Sequence, residues 1–230
     1  MTKISTQLDL VWQRIHAACL AAGRAPDAVT LLAVSKTFGV EAVQAAFAAG
    51  QTAFGENYIQ EAVEKITALR QLPIEWHCIG PIQSNKTRLV AGHFDWVHTL
   101  DRLKIAQRLS EQRPADLAPL QVCIQVNVDG GPTKSGVAPF EALALAQAVA
   151  RLPRLRLRGI MCIPEPVPDF GAACALYKRA SDLLGAMNAQ GLALDTLSMG
   201  MSADLEAAIA SGSTMVRVGS AIFGTRQPVA

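Results

Sequence analysis

The chain has 230 residues, half of them hydrophobic and 17% charged, enough apolar mass for one large α/β domain or two small ones. Twenty-one Lys and Arg against nineteen Asp and Glu leave a formal charge of +2, too balanced to argue for nucleic acid as a partner. Five scattered cysteines (Cys19, Cys78, Cys123, Cys162, Cys174) with no Cys-x-x-Cys pair argue for reduced thiols, and four histidines (His16, His77, His93, His98) without helical spacing argue against zinc. Lys3, Asp9 and Arg14 break up the N-terminal apolar pattern, unlike a signal peptide, and no apolar run reaches membrane-span length. A cytoplasmic protein with no membrane and no metal partner is expected.

Residues 2–22 place Ile4, Leu8, Val11, Trp12, Ile15 and Cys19 at the three-to-four spacing of an amphipathic helix, with Gly23 and Pro26 as its stop. Residues 31–36 are a short apolar run ending in Lys36 and a Thr37-Phe38-Gly39 break, the pattern of a strand buried on both faces. A helix over 40–49 is stopped by Gly50, and a short strand over 52–54 runs into Gly55-Glu56-Asn57, where Asn57 is expected to cap a helix over 58–69. The third strand, 75–79, closes on Gly80-Pro81, and Gln83-Ser84-Asn85-Lys86 opens a short helix towards Gly92. The fourth, 95–98, passes Asp101 into a helix reaching Leu109, and the fifth, 120–128, carries Asn127 at its end and feeds the loop 129–136.

An alanine-rich helix over 139–150 precedes the sixth strand, 157–163, which is bounded by Pro164, Pro166 and Pro168. A long helix over 169–190 leads to a short seventh strand, 196–198, and the turn Met199-Gly200-Met201-Ser202. Ser202 reads as the N-cap of the next helix, with Asp204 and Glu206 suiting its positive end. That helix stops at Gly212, and the eighth strand, 214–218, meets Gly219-Ser220. Eight strand–helix alternations without a linker imply right-handed βαβ units and a parallel sheet. The expected fold is therefore α/β, a single (β/α)8 TIM-type barrel over 1–230 with an extra N-terminal helix; a doubly wound open sheet is the alternative.

Barrels bind ligands beyond the C-terminal ends of their strands, which directs attention to Lys36. Position alone leaves two readings: an amine turned to solvent, or a reactive amine whose pKa is depressed by desolvation, as Schiff-base chemistry needs. Loops seven and eight, where barrels commonly hold phosphate, contain Ser202 and Gly219-Ser220, small residues ahead of a helix start. Arg217 is costly inside a strand without a partner; it is expected to pair with a carboxylate, face water at the mouth, or hold a ligand nitrogen or carboxylate. Asn57, His77 and Asn127 are expected near the same mouth, while Lys86 and Lys134 lie in loops three and five. The alternation Arg154, Arg156, Arg158 reads as an exposed lead-in to strand six.

Taken in order, Ala33-Val34-Ser35-Lys36, Phe54-Gly55-Glu56-Asn57-Tyr58, Trp76-His77-Cys78-Ile79-Gly80, Gln83-Ser84-Asn85-Lys86, Lys134-Ser135-Gly136, Gly159-Ile160-Met161, Leu197 to Ser202 and Gly212 to Gly219 are collectively specific. With them the chain, from Lys36 to Arg226, resembles the pyridoxal phosphate (PLP) homeostasis protein family, whose barrel is like the N-terminal barrel of alanine racemase. The resemblance implies that Lys36 holds PLP as a Schiff base. It places Ser202, Gly219 and Ser220 near the phosphate, Ser198, Met201 and Asn57 close by, and Arg217 against the pyridine nitrogen. A guanidinium there keeps the ring nitrogen unprotonated and weakens the ring as an electron sink. Phe38 and Cys78 depart from the pattern only outside these contacts.

Alanine racemase-like enzymes carry a second, β-rich domain that supplies a tyrosine; this chain stops at Ala230, and Tyr58 and Tyr177 offer no evident second base. Racemisation needs two placed proton-transfer groups. The expectation is a monomeric PLP carrier in intracellular PLP homeostasis, with no catalytic residues and PLP-dependent apoenzymes as candidate recipients. The rivals are a small monomeric amino-acid racemase, a cofactor-free Schiff-base aldolase or phosphosugar enzyme, and a pure interaction protein. Whether Lys86 or Lys134 forms a second PLP site is open.

Overall fold

Short β-rich runs punctuated by glycine and proline, each followed by a helical period, become parallel strands joined by crossover helices. The computed structural model describes residues 2–131 and 134–224. Pro132 and Thr133 of the fifth loop, and the last residues of the resemblance, 225–226, lie outside the described residues. The strands are β1 Thr30–Val34, β2 Ala53–Glu56, β3 Glu75–Cys78, β4 Trp96–Leu100, β5 Leu120–Gln125, β6 Leu155–Met161, β7 Thr196–Met201 and β8 Met215–Val218. They close into one barrel in chain order, all parallel, with β1 against β8 in the register Leu32↔Arg217.

The helices are α1 Lys3–Ala21, α2 Val40–Ala48, α3 Ile59–Ala68, α4 Thr87–His93, α5 Leu103–Gln112, α6 Pro139–Ala150, α7 Phe170–Ala189, α8 Leu205–Ala210 and α9 Ser220–Phe223. The extra helix α1 turns Leu8, Val11, Ile15 and Cys19 inward, and its Arg14 reaches Glu206 of α8 at 2.8 Å. The main apolar core lies between strands and helices, where Leu31, Phe54, Leu100 and Ile124 are fully buried. Each such side chain contributes about 1.5–3 kcal/mol. Inside the barrel the apolar residues fall into two small groups, Leu32–Ala53–Met215 and Trp96–Cys123–Met161. Polar side chains occupy the space between them.

Four local expectations need correction. β1 stops at Val34, so Lys36 stands in the loop beyond the strand, followed by Thr37 at φ 69°. Asn57 does not cap α3; Tyr58 is the N-cap residue, without a side-chain cap bond. Ser202 is not an N-cap either: β7 runs on to Met201, and Asp204 takes the position, its Oδ1 accepting the Met201 N–H at 2.7 Å. β5 ends at Gln125: Val126 still donates to the Met161 carbonyl of β6 at 2.9 Å, and the loop folds back so that Val137 pairs beside it.

Candidate functional site

A cavity of about 570 Å³ opens at the C-terminal ends of the strands, lined by Lys36, Asn57, Met201, Ser202, Arg217, Gly219 and Ser220 with apolar Val34, Phe38, Ile79 and Ile163. Seven of the eight residues proposed from sequence thus share one cavity. The eighth, Ser198, lies beneath it, its Oγ accepting a hydrogen bond from Arg217 Nη1 at 2.8 Å.

Lys36 is half-buried and held from both sides along the chain. The Ser35 hydroxyl donates to Glu56 Oε1 at 2.7 Å, and the Thr37 N–H donates to Glu61 Oε1 at 2.8 Å. Lys65 joins these anchors, donating to Glu56 Oε1 at 2.8 Å, Glu61 Oε1 at 2.6 Å and the Ser35 carbonyl at 2.9 Å. The left-handed backbone at Thr37 costs on the order of 1 kcal/mol and is held by this network. Burial, only partly offset by Lys65, pushes the Glu56 carboxyl above its usual range.

Arg217 is 5% exposed and donates to two neutral oxygens, Ser198 Oγ and the Cys162 carbonyl at 2.9 Å. Of the roles weighed from the sequence, the carboxylate pair is not formed among the described residues: β8 turns this guanidinium inward at the cavity wall, and burial lowers its pKa from the usual arginine value. Asn57 Oδ1 is buried without a hydrogen-bond partner among the described residues, an acceptor available to a ligand. Gly219 permits close approach of β1, since a Cβ there would stand 3.0 Å from the Val34 carbonyl oxygen.

Other expected mouth residues go elsewhere. His77 is wholly buried inside the barrel, bonded to His98 and Glu75. Asn127 closes its own loop, donating to the Gly131 carbonyl and accepting from Gly130 N. Lys134 pairs with Glu165 at 2.9 Å, and neither it nor Lys86 lines the cavity. Arg154 and Arg156 are exposed as expected, but Arg158 grips Asp195 and lies 4.8 Å over the Trp96 ring. The roles of Glu56, Lys65, Glu75 and His98 escape sequence reading: Glu56 meets Ser35, Lys65 meets the Ser35 carbonyl and His98 meets Ser198 across the fold, and Glu75 joins them only through its near neighbour His77. Among the described residues no cluster could hold a metal ion, and no helix is long and apolar enough to cross a membrane.

The family model for the alanine racemase N-terminal domain matches residues 15–227. The pyridoxal phosphate homeostasis protein of Pseudomonas aeruginosa is 59% identical over 226 residues, covering 98% of this chain and 97% of its own length. The protein of that name from Escherichia coli K12 is 52% identical, with 98% of each chain covered. PipY of Synechococcus elongatus, solved with PLP bound, is 35% identical with a TM-score of 0.82, over 96% of this chain and 100% of its own. Alanine racemase of Clostridium difficile shares the fold at 14% identity and a TM-score of 0.71, over 87% of this chain and 56% of that enzyme. On the family match and the two curated relatives, the chain belongs to the pyridoxal phosphate homeostasis protein family, within the alanine racemase N-terminal domain family.

Proposed function

We propose that this chain, as one barrel domain over 1–230, binds pyridoxal 5'-phosphate as a Schiff base on Lys36 and stores or delivers it with little or no turnover. PLP, when bound, supplies an aldehyde that condenses with an amine and a ring that draws electrons from that bond. The cavity fits such a group: an amine, a buried guanidinium, an unpartnered acceptor on Asn57, and Ser202, Gly219 and Ser220 converging where a phosphate can meet hydroxyls and backbone. Ser198 and Met201 support the same wall. Arg217 can only donate, so a ring nitrogen set against it stays an acceptor.

One observation favours carrier over racemase. Among the described lining residues, Lys36 is the one side chain that can serve as a base: no His, Asp, Glu, Cys or Tyr accompanies it. Tyr177 donates to Asp204 Oδ2 at 2.8 Å, burial pushes its hydroxyl pKa up, and it does not line the cavity; nor does Tyr58. A chain with one such base removes and returns a proton on the same face. The proposal includes a monomeric, cytoplasmic protein whose recipients are PLP-dependent apoenzymes.

The test is borohydride reduction of the PLP-treated protein followed by peptide mass spectrometry. The expected result is a phosphopyridoxyl adduct on Lys36 that is absent from Lys36→Ala. An unmodified Lys36 would overturn the reading in favour of a cofactor-free barrel. Racemisation of alanine with exchange of its Cα hydrogen would overturn the carrier part alone.

A further inference from the structure

A chain of hydrogen bonds crosses the barrel interior from the cofactor-side cavity to the opposite face. Arg217 Nη1 donates to Ser198 Oγ at 2.8 Å, and Ser198 Oγ lies 2.8 Å from His98 Nδ1. His98 Nε2 lies 2.9 Å from His77 Nδ1, and His77 Nε2 lies 2.8 Å from Glu75 Oε1. Ser198, His98 and His77 are fully buried, whereas the Glu75 side chain is 49% exposed. Glu75 lines a second cavity, of about 450 Å³, at the N-terminal ends of β3 to β6.

The polarity of the chain follows from its ends. A guanidinium only donates, so Ser198 Oγ accepts from Arg217, and its own proton is left to go to His98 Nδ1, the acceptor of a ring protonated on Nε2 as the Glu75 end demands. His98 then carries its proton on Nε2 and donates to His77 Nδ1. His77 in turn carries its proton on Nε2 and donates to the Glu75 carboxylate, which only accepts. Packing holds the rings in these positions: His77 stacks on Trp96 at 5.3 Å and meets His98 edge-on at 5.1 Å. Burial, reinforced by the Arg217 charge, pushes the His98 pKa well below the ordinary imidazole range, which keeps the ring neutral as this direction requires. The groups facing the chain from neighbouring elements are Asp95, Trp96, Arg158 and Asp195 at its outer end and Cys123, Cys162, Tyr177 and Asp204 near Arg217.

We propose that Glu75, His77, His98 and Ser198 are positioning residues for the cofactor site, a one-directional chain that locks the Arg217 guanidinium in place and connects its charge to a carboxylate on the opposite face of the barrel. The inference rests on the PLP reading only for the identity of the ring that Arg217 meets. The tautomers belong to the protein alone. Their consequence is that a change at Glu75, on the far side of the barrel from Lys36, alters how strongly Arg217 holds a ring nitrogen.

Two measurements test it. In protein free of PLP, nitrogen-15 NMR of the imidazoles at about pH 8, above the ordinary histidine range, should find both His77 and His98 protonated on Nε2 alone. A proton on Nδ1 of either ring overturns the proposal whether or not PLP binds. In PLP-treated protein, Glu75→Ala should change the ratio of the two absorption bands of the bound chromophore by about twofold or more, the scale of one hydrogen bond. Glu75→Gln keeps an acceptor oxygen and should restore most of the wild-type ratio, while Arg156→Ala, in the same outer cavity but outside the chain, should leave it unchanged. An unchanged ratio in a folded Glu75→Ala protein, or an equal change in Arg156→Ala, would overturn the proposal. Failure of Lys36 to label with PLP would instead sink the cofactor reading and leave the NMR result standing.

Discussion

The ammonium of Lys65, 5% exposed, illustrates how the site is held at the scale of single residues: it meets Glu56, Glu61 and the Ser35 carbonyl at 2.6–2.9 Å. Removing it strands the wholly buried Glu56 carboxylate, whose ionised form burial already disfavours. Lys65→Met is therefore expected to destabilise the fold by about 3–5 kcal/mol, and adding Glu56→Gln to recover much of that, as read by urea denaturation. His98 makes a second prediction at this scale. Its folded pKa is depressed, chiefly by burial, so the unfolded chain takes up a proton that the native state refuses. The stability linked to neutral His98 is complete above the unfolded value of 6.5 and is lost as pH falls below it, at up to about 1.4 kcal/mol per pH unit. Urea titrations from pH 7.5 down to pH 5 should show this slope, and His98→Gln should flatten it.

Among the elements, the junction after β3 and β2 is tightly constrained. A Cβ on Gly80 would fall 2.0 Å from the Asn57 carbonyl oxygen, so the two strand ends approach only because residue 80 is glycine. Gly80→Ala must displace Asn57 from the cavity wall; a loss of about 1–3 kcal/mol in stability and a several-fold weaker PLP affinity are expected, measured by denaturation and fluorescence titration. The same scale explains where local reading went astray. Asn57 and Ser202 carry good cap chemistry, but in a barrel the loops between strand and helix serve the mouth. α3 begins at Ile59, its N-cap Tyr58 making no side-chain cap bond, and α8 leaves its N-cap to Asp204. Asn127 reads from the sequence as a strand end facing the mouth, whereas it lies past the strand and satisfies its own loop.

For the whole molecule, closure of β1 on β8 brings Lys36 and Arg217, which lie far apart in the chain, to one cavity. A ligand that bridges them binds only the folded state. PLP at a hundredfold excess over its dissociation constant should add about 2.7 kcal/mol of stability, which for a chain of this size is a rise in Tm of roughly 5–10 °C. The shift should shrink sharply in Lys36→Ala, as differential scanning fluorimetry would show. Alanine racemase shares this barrel at 14% identity, so the fold by itself does not set the chemistry. In this chain the cavity wall, with one amine and a donor-only partner for the ring, sets the proposed role.

The alternation of strand and helix, the extra first helix, and the placing of Lys36, Ser202, Gly219 and Ser220 at the C-terminal face were all determined by the sequence, because each depends on periodicity and turn chemistry within a few residues. What only the tertiary structure decided is how buried polar groups satisfy one another. Ser35 finds Glu56 21 positions away, and His98 finds Ser198 100 positions away. Such partners are chosen by barrel closure and by the need to bond every polar atom taken from water, and local patterning carries no record of either. The anchors of Lys36 and the chain from Glu75 to Arg217 belong to that second class.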